Sequence, residues 1–426
     1  MRPTIPLLIT AALVVGTAVS MAPASAAAAT CRGVPATIEA SGVLRVDGTE
    51  GDDVIVAHDV SGVRALGGDD LVCVIGSVVG VVDAGTGNDV VDATGRTGRT
   101  TTFLGEGDDT FLGSAAVDEV HAGTQGRVDT GRDVVDAGPA GADQDFVVSG
   151  RTGLPNPDEV VGRLVWLDWA GDPTPTSRAE GGTGSTFALG TGPATRLAID
   201  VPARTLTTSG SGAALTVRGF STFSVRASRD LERFTFRGSN RDEALLVPPG
   251  GRTVLRAAMG GGDDTMQVGT YAKGSWFRGG HGRDRVYVQS SARLDLDLRQ
   301  GVLTKRSGRK VVTHEVTGFE DAAVGAPTVR LTGTHGSNAL EVDACRATVQ
   351  SLGGRDTTSA LPSTGSGSPC VGGRQMRFFG GHGDDRMFGS SGNDLLVGGP
   401  GRDQAVGGGG RDTCGAEIRR ECEVRR

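Results

Sequence analysis

The sequence predicts an all-β protein in which the chain winds into a parallel solenoid with β-rich modules inserted into it. Three observations lead to this prediction. They are a nine-residue repeat near the C-terminus, a degenerate form of it upstream, and a longer internal repeat of alternating apolar and polar residues. Glycine contributes 70 of the 426 residues and aromatic side chains only 4%. Glycine is therefore more than twice as frequent as its usual share of about 7%, which favours many turns.

The nine-residue repeat runs from Gly380 to Cys414 without a break in register. Its units are GGHGDDRMF, GSSGNDLLV, GGPGRDQAV and the shortened GGGGRDTC, with Gly at positions 1 and 4 and Asp at position 6. Glycine permits the positive φ of a tight turn over positions 1–6, and positions 7–9 predict a short strand. The residue at position 8 is expected to face the core, which applies to Met387, Leu396, Ala405 and Cys414.

This pattern resembles the calcium-binding repeat of the RTX, or hemolysin-type, family. The resemblance implies a β-roll or β-helix in which two units complete one coil, so that residues 18 apart stack at a strand spacing of about 4.8 Å. Asp385 then lies over Asp403, and Asp394 over Asp412 on the opposite edge. Stacked carboxylates and backbone carbonyls form an all-oxygen site, which suits Ca²⁺.

The residues predicted to bind calcium in this roll are Gly381, Gly383, Asp385, Gly392, Asp394, Gly399, Gly401, Asp403, Gly408, Gly410 and Asp412. The alternative is a flexible linker rich in Gly and Asp. A linker has no reason to keep a nine-residue register over four units.

A degenerate form of the repeat extends over residues 27–150. Its position-6 aspartates are Asp53, Asp70, Asp89, Asp109 and Asp133, at spacings that bracket one coil rather than one unit. We therefore predict a degenerate calcium-binding solenoid with aspartate on one edge only. Hairpin turns with Asp-rich loops are the alternative interpretation.

The middle of the chain combines a proline-rich segment with an internal repeat. Residues 151–193 lose the pattern, and they are predicted to form an irregular junction. Arg196–Asp200 then corresponds to Arg293–Asp297, which predicts a β-rich module used twice, over 194–292 and 293–369. The unit GGHGRDRVY between the copies predicts a further calcium site formed by Gly280, Gly282 and Asp284 with Asp264.

The termini and the cysteines predict an exported protein. Residues 1–26 have the charged start, apolar run and small-residue cleavage site of a signal peptide, and no other segment could span a bilayer. Six cysteines in an exported chain favour disulfides. Fifteen pairings are possible, and proximity favours Cys31–Cys73, Cys345–Cys370 and Cys414–Cys422. The roll over 370–414 is then followed by a basic, disulfide-tied tail over 415–426.

The sequence favours a binding protein over an enzyme. It contains neither an H-E-x-x-H metalloprotease motif nor a serine flanked by Gly at −2 and +2, so no catalytic residue is assigned. The expected function is calcium-dependent folding with a structural or adhesive extracellular role, with Ca²⁺ as the ligand and cell-wall or extracellular polysaccharide as a candidate partner. The net charge of −7 argues against nucleic acid. The alternative is a polysaccharide-active lyase or hydrolase on a β-helix.

Overall fold

The structure is a computed structural model that describes residues 28–78, 80–123, 131–139, 141–248, 252–269, 271–362, 370 and 373–425. The predicted signal peptide lies outside the described residues. All regular structure in the described ranges is β-strand. Within them, no helix is long and apolar enough to cross a membrane.

Two long sheets face each other, and each turn of the chain adds one strand to each of them, except where an antiparallel hairpin adds further strands to the first sheet. In spatial order, the strands of the first sheet are Ile38–Ser41, Val54–His58, Leu71–Gly76, Val90–Arg96, Thr110–Leu112, Val134–Asp136, Glu159–Val161, Arg178–Glu180, Ala214–Arg218, Thr205–Thr208, Arg196–Asp200, Arg233–Arg237, Val254–Gly261, Trp276–His281, Lys310–Thr317, Val302–Ser307, Arg293–Asp297, Thr328–Thr332, Arg346–Gln350, Gln375–Phe379, Leu395–Val397, Thr413–Gly415 and Val424–Arg425.

The second sheet is parallel throughout. Its strands are Val46–Asp47, Gly62–Arg64, Gly80–Asp83, Thr100–Phe103, Asp118–Ala122, Asp145–Ser149, Val165–Ala170, Thr186–Gly190, Thr222–Arg226, Ala244–Leu246, Thr265–Val268, Arg285–Gln289, Asp321–Gly325, Ala339–Asp343, Thr357–Ala360, Arg386–Phe388, Gln404–Val406 and Ile418–Arg420. Two short pairs lie outside both sheets, formed by Thr30–Cys31 with Val34–Pro35 and by Pro155–Asn156 with Asp172–Pro173.

The predicted solenoid is confirmed, because the chain alternates between the two sheets coil after coil. Met387 lies beside Ala405 in the second sheet, and Leu396 lies beside Cys414 in the first. These four side chains are at most 1% exposed and fill the space between the sheets. The alternation of inward apolar and outward polar residues along each strand therefore forms one continuous core.

In each copy of the internal repeat, the chain reverses direction twice within the first sheet and forms three neighbouring antiparallel strands. In the first copy, Arg196–Asp200, Thr205–Thr208 and Ala214–Arg218 pair antiparallel with one another, and the outer two strands pair parallel with neighbouring coils. The second copy repeats this arrangement with Arg293–Asp297, Val302–Ser307 and Lys310–Thr317. Asp200 and Asp297 form the first turn of each copy by accepting backbone hydrogen bonds from Ala203 and Gln300, at 2.9 and 2.8 Å. The inserted modules thus extend the solenoid.

Residues 151–193 differ from the irregular junction that the sequence predicts. Glu159–Val161, Val165–Ala170, Arg178–Glu180 and Thr186–Gly190 lie in register with the flanking coils. The prolines lie in turns or in the short outer strand pair, where no ladder hydrogen bond is lost. Trp169 is buried between the sheets, whereas Trp166 is on the outer face. The segment loses the Gly/Asp turns but keeps the apolar alternation, so the winding continues.

All three disulfides join the cysteines that proximity favours: Cys31–Cys73, Cys345–Cys370 and Cys414–Cys422. The first fastens the N-terminal hairpin to the third strand of the first sheet. The last joins the final core position of the roll to the tail that follows it.

Candidate calcium sites

The turns of the C-terminal roll are stacked too closely for side chains at several positions. Gly401 has a φ of 151°, and a Cβ on it would lie 1.9 Å from the carbonyl oxygen of Gly383 in the preceding coil. Gly392 lacks a positive φ, but a Cβ there would lie 1.9 Å from the carbonyl oxygen of Arg374. Glycine is therefore required both for the backbone conformation and for the contact between coils. The predicted site glycines of the roll with positive φ are Gly381, Gly383, Gly399, Gly401, Gly408 and Gly410.

One edge of the roll carries a continuous ladder of acidic side chains. The backbone N–H of Asp385 donates to Oδ1 of Asp403 at 2.9 Å, and that of Asp356 donates to Oδ1 of Asp385 at 2.9 Å. At the far end, the N–H of Asp403 donates to Oε2 of Glu417 at 2.7 Å. The predicted stacking of Asp385 on Asp403 is present, and the ladder extends by one coil in each direction.

The opposite edge carries a second ladder of the same kind. The backbone N–H of Asp394 donates to Oδ1 of Asp412 at 2.8 Å, and that of Met376 donates to Oδ1 of Asp394 at 2.7 Å. The N–H of Asp412 donates to Oε2 of Glu423 at 2.6 Å. Both edges of the roll therefore hold stacked carboxylates.

The second carboxylate oxygen of most ladder residues has no hydrogen-bond partner. Oδ2 of Asp385, Asp403 and Asp412 is buried and unpartnered. A Cβ placed on Gly380 would lie 2.3 Å from Oδ2 of Asp385 and 2.7 Å from the carbonyl oxygen of Gly398. Because glycine has no Cβ, a small space remains there, bordered by a carboxylate oxygen and a carbonyl oxygen. We call this space the cradle. Oxygens around a small space are the ligands that Ca²⁺ takes at about 2.3–2.6 Å.

Asn338 shows how a ladder position is satisfied without a cation. Its Oδ1 accepts the N–H of Thr334 at 2.7 Å, and its Nδ2 donates to the carbonyl oxygen of Glu320 at 2.6 Å. A carboxylate cannot donate in this way. Oδ2 of Asp394 instead accepts the backbone N–H of Ser390, whereas the unpartnered Oδ2 of Asp385, Asp403 and Asp412 can be satisfied by a cation or a proton.

Burial also makes ionisation of the ladder carboxyl groups unfavourable. Desolvation raises the pKa of Asp385, Asp403 and Asp412, and the carboxylates stacked beside them raise it further. A bound divalent cation would offset both effects. Within the described ranges, no three His, Cys, Asp or Glu side chains gather into a metal site. Backbone carbonyls such as that of Gly398 would supply part of the ligand set of a calcium site here.

The same stretch matches a known protein family. Residues 379–414 match the family of the RTX calcium-binding nonapeptide repeat, in four copies. These residues are RTX repeats. The match confirms the predicted resemblance over the C-terminal roll, hereafter the RTX roll. No curated protein matches the chain.

A ladder resembling that of the RTX roll lies in the middle of the chain, where Asp264 and Asp284 were predicted to share a site. The N–H of Asp264 donates to Oδ1 of Asp284 at 2.9 Å, and the N–H of Asp284 donates to Oε2 of Glu320 at 2.9 Å. Gly280 and Gly282 have φ of 129° and 127°. Desolvation raises the pKa of Asp264 to about 7 and that of Asp284 to about 6.

The N-terminal aspartates form the longest ladder. Each backbone N–H donates to Oδ1 of the next aspartate, at 2.7–3.1 Å, along the series Asp53, Asp70, Asp89, Asp109, Asp133 and Asp158. Desolvation raises the pKa of Asp70 to about 6 and that of Asp89 to about 7. The uneven spacing along the chain therefore does not interrupt the stacking, because loops of different length leave the turns in register.

The N-terminal ladder differs from the RTX roll at position 1 of the turn. The RTX roll has glycine there in all four units, and this glycine leaves the cradle beside Oδ2. Asp70, Asp89 and Asp109 instead follow Ala65, Ala84 and Leu104, whose side chains are buried in the core. At these three positions the N-terminal turns lack the glycine that borders Oδ2 in the RTX turns.

Sequence reasoning missed several ladder residues. The prediction that only one edge upstream carries aspartate is wrong at Asp118, whose N–H donates to Oδ1 of Asp145 at 3.0 Å on the other edge. Asp118 follows Asp109 by nine residues and Gly113 by five, a spacing that could have revealed it. Asp356 could also have been found from the sequence, because Gly354-Arg355-Asp356 matches positions 4 to 6 of the nonapeptide. The other missed members are Asp158, Glu243, Glu320, Glu417 and Glu423. Glu243 follows Gly238 by five residues and so has the same spacing, whereas Glu320, Glu417 and Glu423 lack a glycine there and carry no such signal.

Proposed function

We propose that this is an exported calcium-binding solenoid whose RTX roll completes its folding when Ca²⁺ enters the stacked turns. The observation that carries this proposal is the row of buried carboxylate oxygens without hydrogen-bond partners, at Asp385, Asp403 and Asp412. An unpaired buried charge opposes folding. Calcium bound by these oxygens would turn the same side chains from destabilising into stabilising ones, so that binding energy becomes folding energy.

An extracellular location fits this mechanism. Three disulfides are typical of oxidising compartments. Extracellular calcium modules commonly bind in the range of about 10⁻⁴–10⁻³ M, so the roll would stay loosely ordered at the low calcium concentration of the cytosol. Once exported, the ordered solenoid would serve a structural or adhesive role.

Calcium titration of the purified mature protein tests the proposal. Far-UV circular dichroism should show a gain of β-structure on adding Ca²⁺, and calorimetry should show saturable binding. Addition of chelator should reverse both changes, whereas the same concentration of Mg²⁺ should leave them largely absent, since Mg²⁺ demands a tighter octahedral set. An unchanged spectrum and melting curve in chelator would rule out calcium-dependent folding.

A further inference from the structure

The outer face of the first sheet is strongly basic over its central part. Ten arginines point outward from the strands between Arg196–Asp200 and Gln375–Phe379, against four carboxylates, Asp200, Asp295, Asp297 and Glu315. These arginines, the arginine face, are Arg196, Arg233, Arg237, Arg256, Arg278, Arg293, Arg306, Arg330, Arg346 and Arg377. The excess of positive charge contrasts with the net charge of −7 for the whole chain.

More than half of these arginines have no ion pair within the described residues. Ion pairs join Arg237 to Asp200, Arg278 to Glu315, and both Arg293 and Arg306 to Asp295. Arg196 and Arg233 lie directly beside each other on neighbouring strands. Like charges in that position destabilise a sheet, so the fold itself gains nothing from the pair.

The outer face of the second sheet lacks this excess of positive charge. Over the comparable stretch, from Thr222–Arg226 to Arg386–Phe388, Arg226, Arg285 and Arg386 are balanced by Asp321, Glu341 and Asp343. Two of these arginines are ion-paired, Arg226 with Asp168 and Arg285 with Glu341. The solenoid therefore has one basic face and one balanced face.

We propose that the arginine face binds a linear acidic polysaccharide, with carboxylate or sulfate groups, that lies along the solenoid axis. Neighbouring strands are about 4.8 Å apart, so the face offers repeated guanidinium groups to an extended chain that carries repeated charges. Guanidinium groups bind carboxylate and sulfate oxygens in a bidentate manner. Because the strands of successive coils lie side by side, such a chain can contact side chains of several coils.

The face is less suited to nucleic acid. Single strands are bound largely by stacking bases on exposed aromatic rings. The two aromatic rings in this region, Trp276 and Phe379, are already covered by the guanidinium groups of Arg278 at 4.5 Å and Arg377 at 5.9 Å.

The test compares matched ligands and matched variants, at saturating calcium so that the RTX roll is ordered. The ligands are dextran sulfate, hyaluronate, uncharged dextran and duplex DNA. The test variant is Arg233→Ser with Arg330→Ser, and the control variant is Arg226→Ser with Arg386→Ser, which changes the net charge equally on the other face. Circular dichroism and melting curves establish that both variants fold, and the single substitution Arg330→Ser replaces the double variant if it does not.

We expect dextran sulfate and hyaluronate to bind and uncharged dextran not to bind. The test variant should bind the two acidic glycans about tenfold more weakly, and the control variant should bind like the unmodified protein. Binding should weaken with added NaCl, since exposed charges are screened. An equal loss in both variants, the absence of binding to both acidic glycans, or binding of duplex DNA as tight as that of dextran sulfate would overturn the proposal.

Discussion

At the scale of single residues, the two oxygens of Asp385, Asp403 and Asp412 have different roles. Oδ1 accepts the backbone N–H of the preceding coil, as Asp403 does for Asp385 at 2.9 Å. Oδ2 of Asp403 has no such partner and lies where a Cβ on Gly398 would be only 2.1 Å away. In these three residues the first oxygen holds the coils in register, and the second, which has no hydrogen-bond partner, can bind a cation. Replacing Asp by Asn separates the two roles, because the amide keeps an acceptor oxygen but loses the charge.

We predict that Asp403→Asn raises the calcium concentration at the ordering midpoint more than Asp89→Asn does. Asp403 borders a glycine cradle, whereas the turn of Asp89 has Ala84 at position 1. Both variants keep a ladder acceptor, so a difference between them reports calcium binding. The measurement is the midpoint of the circular dichroism change during calcium titration. A larger shift in Asp89→Asn would place the principal calcium sites in the N-terminal ladder.

A second residue-scale prediction concerns the cradle itself. Gly398→Ala should weaken the calcium response of the RTX roll and lower its melting temperature, because the new Cβ would collide with Oδ2 of Asp403. Gly212→Ala is the matched control, since a Cβ on Gly212 meets no atom within 4 Å. Calcium titration and thermal melting of both variants provide the comparison. If Gly398→Ala behaves like Gly212→Ala, the cradle does not bind the cation.

At the scale of elements, a short tail closes the end of the solenoid, and its two strands are placed as those of one further coil would be. Ile418–Arg420 pairs with Gln404–Val406 in the second sheet, and Val424–Arg425 pairs with Thr413–Gly415 in the first. Glu417 and Glu423 take the place of the next ladder aspartates by accepting the N–H groups of Asp403 and Asp412. The Cys414–Cys422 disulfide fixes the tail against the core position of the last unit. The tail thus provides hydrogen-bond acceptors for backbone N–H groups that would otherwise be unpaired at the end of the solenoid.

We therefore predict that Cys414→Ser with Cys422→Ser loosens the last coil. Loss of a disulfide that closes so short a loop is expected to cost about 2.5 kcal/mol of unfolding free energy. The calcium midpoint should rise as well, because Asp403 and Asp412 lose the groups that hold them. Cys31→Ser with Cys73→Ser is the control, since that bond lies at the other end of the solenoid. Denaturant unfolding at fixed calcium measures the first effect. A calcium midpoint shifted equally by both pairs would contradict this role for the tail.

At the scale of the whole molecule, rows of buried carboxyl groups run along the solenoid. Desolvation raises the pKa of Asp89, Asp264 and Asp356 to about 7, and that of Asp70 and Asp284 to about 6. In the unfolded chain an aspartate has a pKa of about 3.9. A pKa raised by folding contributes stability that is complete below the unfolded value and is lost as pH rises through the folded value. Without calcium, the ladders are therefore most stable when they are protonated.

We predict opposite pH responses with and without calcium. In chelator, the melting temperature should fall between pH 5 and pH 8, because the ladder carboxyls ionise over that range. At saturating calcium the fall should be abolished or reversed, because Ca²⁺ binds the ionised form. The exposed Arg–carboxylate pairs contribute little here, since each is worth about 0–1 kcal/mol. Parallel melting curves in chelator and calcium across this range would show that the ladders do not take up the cation.

The sequence by itself determined the repeat, the turn and the stacking in the RTX roll. The repeat and the turn depend on residues within nine positions of one another. The stacking of residues 18 apart follows, because glycine and aspartate recur at fixed spacing from Gly380 to Cys414. The three disulfides also followed from proximity along the chain. The same local reasoning marked the upstream aspartates, although their spacing varied.

Only the tertiary structure decided which features of distant coils come together. It showed that residues 151–193 keep winding, that Asp118 and Asp145 form a ladder on the second edge, and that the tail glutamates complete the C-terminal ladders. It also brought the arginines of successive strands onto one face. The physical reason is that neighbours in a solenoid are one coil apart. The number of residues in a coil varies, because its loops and hairpins differ in length. The spacing of residues along the chain therefore does not reveal which residues lie side by side on neighbouring strands.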